Sequence, residues 1–118
     1  MGYTAALSAF QHGSIWLQQA LEYMSENRDY VIQYIDRHMP YIRTTCPEAT
    51  YLMWLDCSQI DIPDANPHSF FLKNAKVAFS DGAMFGPGGD GFIRLNLACP
   101  RSVLETALTR MLNAINKL

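Results

Sequence analysis

Near the C-terminus the chain reads Phe85-Gly86-Pro87-Gly88-Gly89-Asp90-Gly91-Phe92-Ile93-Arg94-Leu95-Asn96, a glycine-rich turn feeding a strand that carries one arginine. Strict alternation from Phe92 sends Phe92, Arg94, Asn96 and Ala98 to one face and Ile93, Leu95, Leu97 and Cys99 to the other. A guanidinium held on a rigid strand presents a planar fork of donors, and a carboxylate is the anion that meets such a fork with two parallel bonds. Asn96 faces the same way, two residues on, where it could orient the guanidinium or the ligand. The plainer alternative is a charged residue on the solvent face of an amphipathic strand, paired with an aspartate.

The other reactive side chains form no comparable set. The Gly86 to Gly91 loop matches neither G-x-x-x-x-G-K-[ST] nor a strand–G-x-G-x-x-G–helix context, because a strand follows it. Its glycines instead suit positive φ and close backbone approach at the rim of a site. His12, His38 and His68 are far apart and lack metal-ligand spacing with any cysteine. Cys46 precedes a proline and reads as a small buried thiol rather than a nucleophile, which would need an adjacent base. Asp61 and Asp64 read as turn and cap formers, with no calcium-loop pattern around them.

The totals bound the rest. The chain has 118 residues, 49% hydrophobic and 17% charged, which is one globular domain with a real core. A formal net charge of −2, with nine scattered Lys and Arg, gives no attraction to nucleic acid or anionic membrane. No apolar run reaches the ~20 residues of a membrane span, and no basic-then-apolar signal peptide stands at the N-terminus. Three cysteines, an odd number without C-x-x-C spacing, point to free thiols in a reducing, cytoplasmic setting.

The elements that must place Arg94 follow from periodicity and punctuation. Residues 4–10 form a short helix ended by His12-Gly13, and Ser14 caps a long helix to about His38. One stripe of that helix carries Leu17, Leu21, Met24, Val31 and Ile35; a second carries Trp16, Ala20, Tyr23, Tyr30 and Tyr34, with Asn27 in line. So wide an apolar face predicts contact with two bodies. Ile42–Cys46 is an edge strand broken by Pro47, and Thr50–Asp56 a second strand, apolar on both faces. A helix from Pro67 to about Ala75, a short strand Val77–Phe79, a turn Ser80-Asp81-Gly82 and the Arg94 strand come next. Ser102 and Glu105 form a capping box on a last helix that buries Leu104, Ala107, Leu108, Met111 and Ile115. The pattern is α+β: a two-layer sandwich, with a small, mostly antiparallel sheet, helices on one face and a long helix in front.

Three stretches together resemble the C-terminal small domain of a fold-type-I, pyridoxal-phosphate-dependent aminotransferase, on the cystathionine β-lyase-like C–S lyase branch. They are Gly13-Ser-Ile-Trp16-Leu17 with Tyr23 and Asn27; Pro47 through Asp56; and Val77-Ala78-Phe79 through Gly82, continuing from Phe85-Gly86 to Arg94-Leu95-Asn96 and on to Cys99-Pro100-Arg101-Ser102. The family has glycine where Ala49 stands, and proline where Asp81 stands. The resemblance implies that Arg94 binds the substrate α-carboxylate, and that the loop with Phe85 and Gly86 lies at the active-site entrance. It also implies pyridoxal 5'-phosphate in the parent enzyme, an amino-acid substrate, and a homodimer.

The same resemblance divides the chain into residues 1–38, the end of a large domain and an interdomain helix, and 39–118, the small domain. The Schiff-base lysine, the pyridinium-pairing acid and the phosphate ligands belong to the large domain. No catalytic, cofactor-binding or metal residue is therefore expected here, and no cofactor on these residues alone. The start at Met1-Gly2, directly before a family-like helix, reads as an excised or truncated domain that is inactive by itself. The competing expectation is a stand-alone, non-catalytic module that binds a small carboxylate or a partner protein.

Overall fold

A computed structural model describes the backbone of residues 1–118 and every side chain except that of Asp64, so the cap or turn role expected of Asp64 lies outside the described residues. Helices α1 (Gly2–His12) and α2 (Ser14–His38) lead into strands β1 (Arg43–Thr44) and β2 (Leu52–Asp56). A 3₁₀ turn at Pro63–Ala65 precedes α3 (Pro67–Asn74), then come β3 (Ser80–Asp81), a 3₁₀ turn at Gly82–Phe85, β4 (Phe92–Asn96) and α4 (Arg101–Ile115). The four strands form one antiparallel sheet in the order β1-β2-β4-β3. This is the α+β sandwich expected from the sequence, with the arginine-bearing strand at its centre.

One face of the sheet is the core. Met53 and Leu55 of β2 and Ile93 and Leu95 of β4 are buried, packed with Val31 and Ile35 of α2, Phe71 of α3, and Leu104, Leu108 and Met111 of α4. Period-2 burial in the strands and period-3.6 burial in the helices meet on that face, which is why one register holds throughout. On α4 the fully buried set ends at Ala114; Ala107 and Ile115 are half-buried. The opposite face carries Trp54 and Arg94 as a cross-strand pair and is open. Helix α1 buries nothing, and Trp16, Leu17 and Leu21 at the start of α2 stay exposed, so the wide apolar face is covered only from Asn27 onward.

Several local expectations are corrected by tertiary contacts. Ser14 caps nothing: α1 and α2 are separated by Gly13 alone, whose C=O accepts from Leu17 N–H (2.9 Å), so Ser14 is already helical. The edge strand shrinks from Ile42–Cys46 to Arg43–Thr44, and β2 begins at Leu52. Val77–Phe79 is not a strand, because Phe79 turns to Phe71 (ring centroids 5.9 Å) and pairing with β4 waits until Ser80. Ser102 and Glu105 form no capping box. The helix starts at Arg101, and the hydroxyl of Tyr23 on α2 accepts the Arg101 N–H at 2.7 Å.

All three cysteines are free thiols, but Cys46 is exposed, against the expectation of burial, and Cys57 is the buried one. Burial, helped by Asp56, pushes the Cys57 thiol up from 9.0 to about 12. The folded pKa lies above the unfolded one, so this contribution to stability is whole below pH 9 and is lost as pH rises from 9 to about 12. Denaturant titrations across that window should show stability falling by up to ~1.4 kcal/mol per pH unit. A Cys57→Ala variant should show a shallower fall. In the native protein a thiol reagent at pH 8 should label Cys46 and spare Cys57.

Candidate substrate-carboxylate site

Arg94 sits mid-strand with a neighbour on either side, Trp54 of β2 and Ser80 of β3. Its guanidinium lies over the Phe85 ring, 4.3 Å from the centroid, and Nη2 donates a long bond (3.4 Å) to Ser80 Oγ. Its Nε is buried without a hydrogen-bond partner. Among the described residues no carboxylate lies within ion-pair distance of it; the pair found is Arg28–Asp29. A half-buried cation with one long bond, an orphaned N–H and no counter-ion among the described residues is under-satisfied, unlike the aspartate-paired surface arginine of the plainer alternative.

The 3₁₀ turn brings Phe85 to this position. Asp81 accepts from Ala83 N–H (3.2 Å) to start the turn, and Gly86 leaves it at φ +108°, a conformation that favours glycine. Gly82 and Gly89 close the loop by backbone contact, since a Cβ on either would run into the carbonyl of the other. Phe85 thus lies under the Arg94 guanidinium, with Gly86 next to it at the end of the turn. Asn96 shares the face of Arg94 but does not orient it: its Oδ1 accepts from Ala98 N–H at 2.8 Å, and Ser80 takes the guanidinium instead.

The roles of three residues escaped sequence reading. Ser80 and Trp54 become neighbours of Arg94 only through strand pairing, which the spacing does not disclose. Asn27, which interrupts an aromatic stripe, is fully buried and donates to the carbonyls of Leu97 and Cys99 (3.0 Å each), while its Oδ1 accepts from Arg101 Nε (2.8 Å). Arg101 also lies over Tyr30, 4.4 Å from the ring centroid. A polar residue in line with apolar ones was the available signal. The structure shows its use: it ties α2 to the segment that leaves β4.

No family model matches the sequence, but individual relatives do. MalY of Escherichia coli is 35% identical over 115 residues, 98% of this chain and 30% of that protein. Cystathionine β-lyase PatB of Bacillus subtilis is 34% identical over 96% of this chain and 29% of its own length. Among solved structures, cystalysin of Treponema denticola, which contains pyridoxal 5'-phosphate, superposes with a TM-score of 0.92 at 30% identity, covering 98% of this chain and 29% of that one. The chain's relatives are cystathionine β-lyases, MalY and aminotransferases of the pyridoxal-phosphate-dependent fold-type-I family. Within that family it has the architecture of the C-terminal domain. It spans about 30% of the length of the curated relatives it matches.

Proposed function

We propose that these residues form the substrate-carboxylate-binding domain of a pyridoxal-phosphate-dependent C–S lyase that acts on cystathionine or another cysteine conjugate. The observation that carries this reading is the under-satisfied guanidinium of Arg94, stacked on Phe85 and lacking a counter-ion among the described residues. An amino-acid carboxylate supplies the missing charge and two strong acceptors, and its capture fixes the direction in which Cα and Cβ point. Residues 39–118 are then the small domain, and residues 1–38 end a large domain and connect the two, with the bare start of α2 facing it. The homodimer implied by the sequence resemblance belongs to the same proposal.

The side chains in hand fit the substrate and not the cofactor. Lys73 lies on α3, Lys76 just after it and Lys117 beyond α4, so no lysine stands on the face of Arg94. Pyridoxal phosphate would be held by residues other than these and, when bound, would supply the electron sink for chemistry at Cα. In the overall reaction the Cα–H and Cβ–S bonds break and the thiol leaves carrying a proton. Water then converts the remainder to pyruvate and ammonia.

The test is the protein carrying these residues, loaded with pyridoxal phosphate and given L-cystathionine. Thiol, pyruvate and ammonia should form in equal amounts. Conversion to a keto acid without thiol release, and only in the presence of an amino-group acceptor, would make it an aminotransferase.

A further inference from the structure

Beside Arg94 lies an open cleft of about 390 Å³, walled by Trp54, Phe85 and Phe92 and floored by the backbone of residues 86–89. The rings meet edge to face: Trp54–Phe85 at 5.3 Å and 86°, Trp54–Phe92 at 6.0 Å and 83°. Edge-to-face packing leaves ring faces and edges for a further aromatic or polarisable group. Trp54, in the middle of a sheet face, is 39% exposed, and Phe85, at the end of the 3₁₀ turn, is 49% exposed. Gly86 and Gly88 of the floor are free of close neighbours: a Cβ built on either would meet nothing within 4 Å.

Two features connect this cleft to the arginine. Phe85 serves both, supporting the guanidinium at 4.3 Å and walling the cleft, and Trp54 is the cross-strand partner of Arg94. None of the lining residues is ionisable. A group seated there gains burial against aromatic carbon but finds no counter-charge, so a second zwitterion, such as the far end of cystathionine, would have to stay in water.

We propose that the Trp54–Phe85–Phe92 cleft receives the sulfur substituent of the amino acid whose carboxylate Arg94 holds, and that it selects uncharged, apolar or aromatic S-conjugates of cysteine over cystathionine. This rests on the carboxylate-anchor reading of Arg94 and narrows the substrate class. The selectivity expected of a hydrophobic pocket is about tenfold to a hundredfold.

The experiment needs no turnover. The chain has two tryptophans, and Trp16, exposed on α2, serves as an internal control for Trp54. The indole N–H resonances of the 118-residue chain are followed by NMR during titration with S-benzyl-L-cysteine and, separately, L-cystathionine. Trp54 should shift saturably while Trp16 stays still, with the benzyl conjugate saturating at about tenfold lower concentration. Phe85→Leu, which keeps bulk without the ring, should shrink that preference, and so should Phe92→Leu. Equal response to the two ligands, no response of Trp54, or equal movement of Trp16 overturns the proposal. Arg94→Ala separates the two readings: loss of affinity for both ligands together supports the anchor, whereas an aromatic preference that survives with unchanged affinity refutes the anchor alone. Absence of thiol release by the loaded protein counts only against the lyase reading, because Trp54 reports binding.

Discussion

Replacing Arg94 with alanine should lower kcat/KM for a cysteine thioether by two to three orders of magnitude in the protein that carries this domain. Two charge-assisted hydrogen bonds to a carboxylate are worth about 3–5 kcal/mol together, and each ~1.4 kcal/mol is a factor of ten. Arg94→Lys keeps the charge but not the fork, and its loss should fall between wild type and alanine. The same loss should appear if the substrate is changed instead: the decarboxylated amine should be poor for wild type and no worse for Arg94→Ala. Paired this way, the two changes isolate the contact between carboxylate and guanidinium. A loss below tenfold in Arg94→Ala would remove the arginine from the site. Folding does not compensate, because the guanidinium makes one long bond, to Ser80, and leaves its Nε unpartnered.

Asn27→Ala should destabilise the domain by about 3 kcal/mol, which for a chain of this size lowers Tm by roughly 10 °C or more. The side chain is fully buried and makes three hydrogen bonds, to the carbonyls of Leu97 and Cys99 and from Arg101 Nε. Truncation removes three bonds at once: the Cys99 carbonyl loses its side-chain donor, the Arg101 Nε–H loses its acceptor, and the Leu97 carbonyl keeps only the Cys99 N–H. Asn27→Asp should fail for a different reason: it retains the acceptor for Arg101 but cannot donate to either carbonyl. Arg101→Ala should cost less, because its guanidinium also rests on Tyr30 at the edge of the domain, where solvent replaces part of what is lost. Thermal melts of the three single variants and the Asn27–Arg101 double variant check this. A cost below 1 kcal/mol for Asn27→Ala would mean that the network is incidental.

These two side chains divide what was legible from what was not. Arg94 could be singled out from the residue order because alternation along one strand is a local rule, and the glycines before it announce a turn that positions Phe85. Asn27 was visible only as a break in a stripe, since its three partners lie 70 to 74 positions away. The capping of α4 shows the same division. The box Ser102–Glu105 is the local solution the sequence advertises, yet Tyr23 from α2 supplies the acceptor and the N-cap position falls at Pro100, two residues earlier. Val77–Phe79 has the composition of a strand, but the ring of Phe79 packs against Phe71 and pairing with β4 begins only at Ser80.

By itself the sequence determined the class of fold, the order of its elements, the apolar faces and the strand that carries the arginine, because periodicity and glycine or proline punctuation act over a few residues. Only the tertiary structure decided what surrounds that arginine: Trp54 on one side, Ser80 on the other, Phe85 beneath and no acid in reach among the described residues. Strand register and loop closure bring these groups together from positions up to 40 residues apart, and no local pattern encodes distances of that kind.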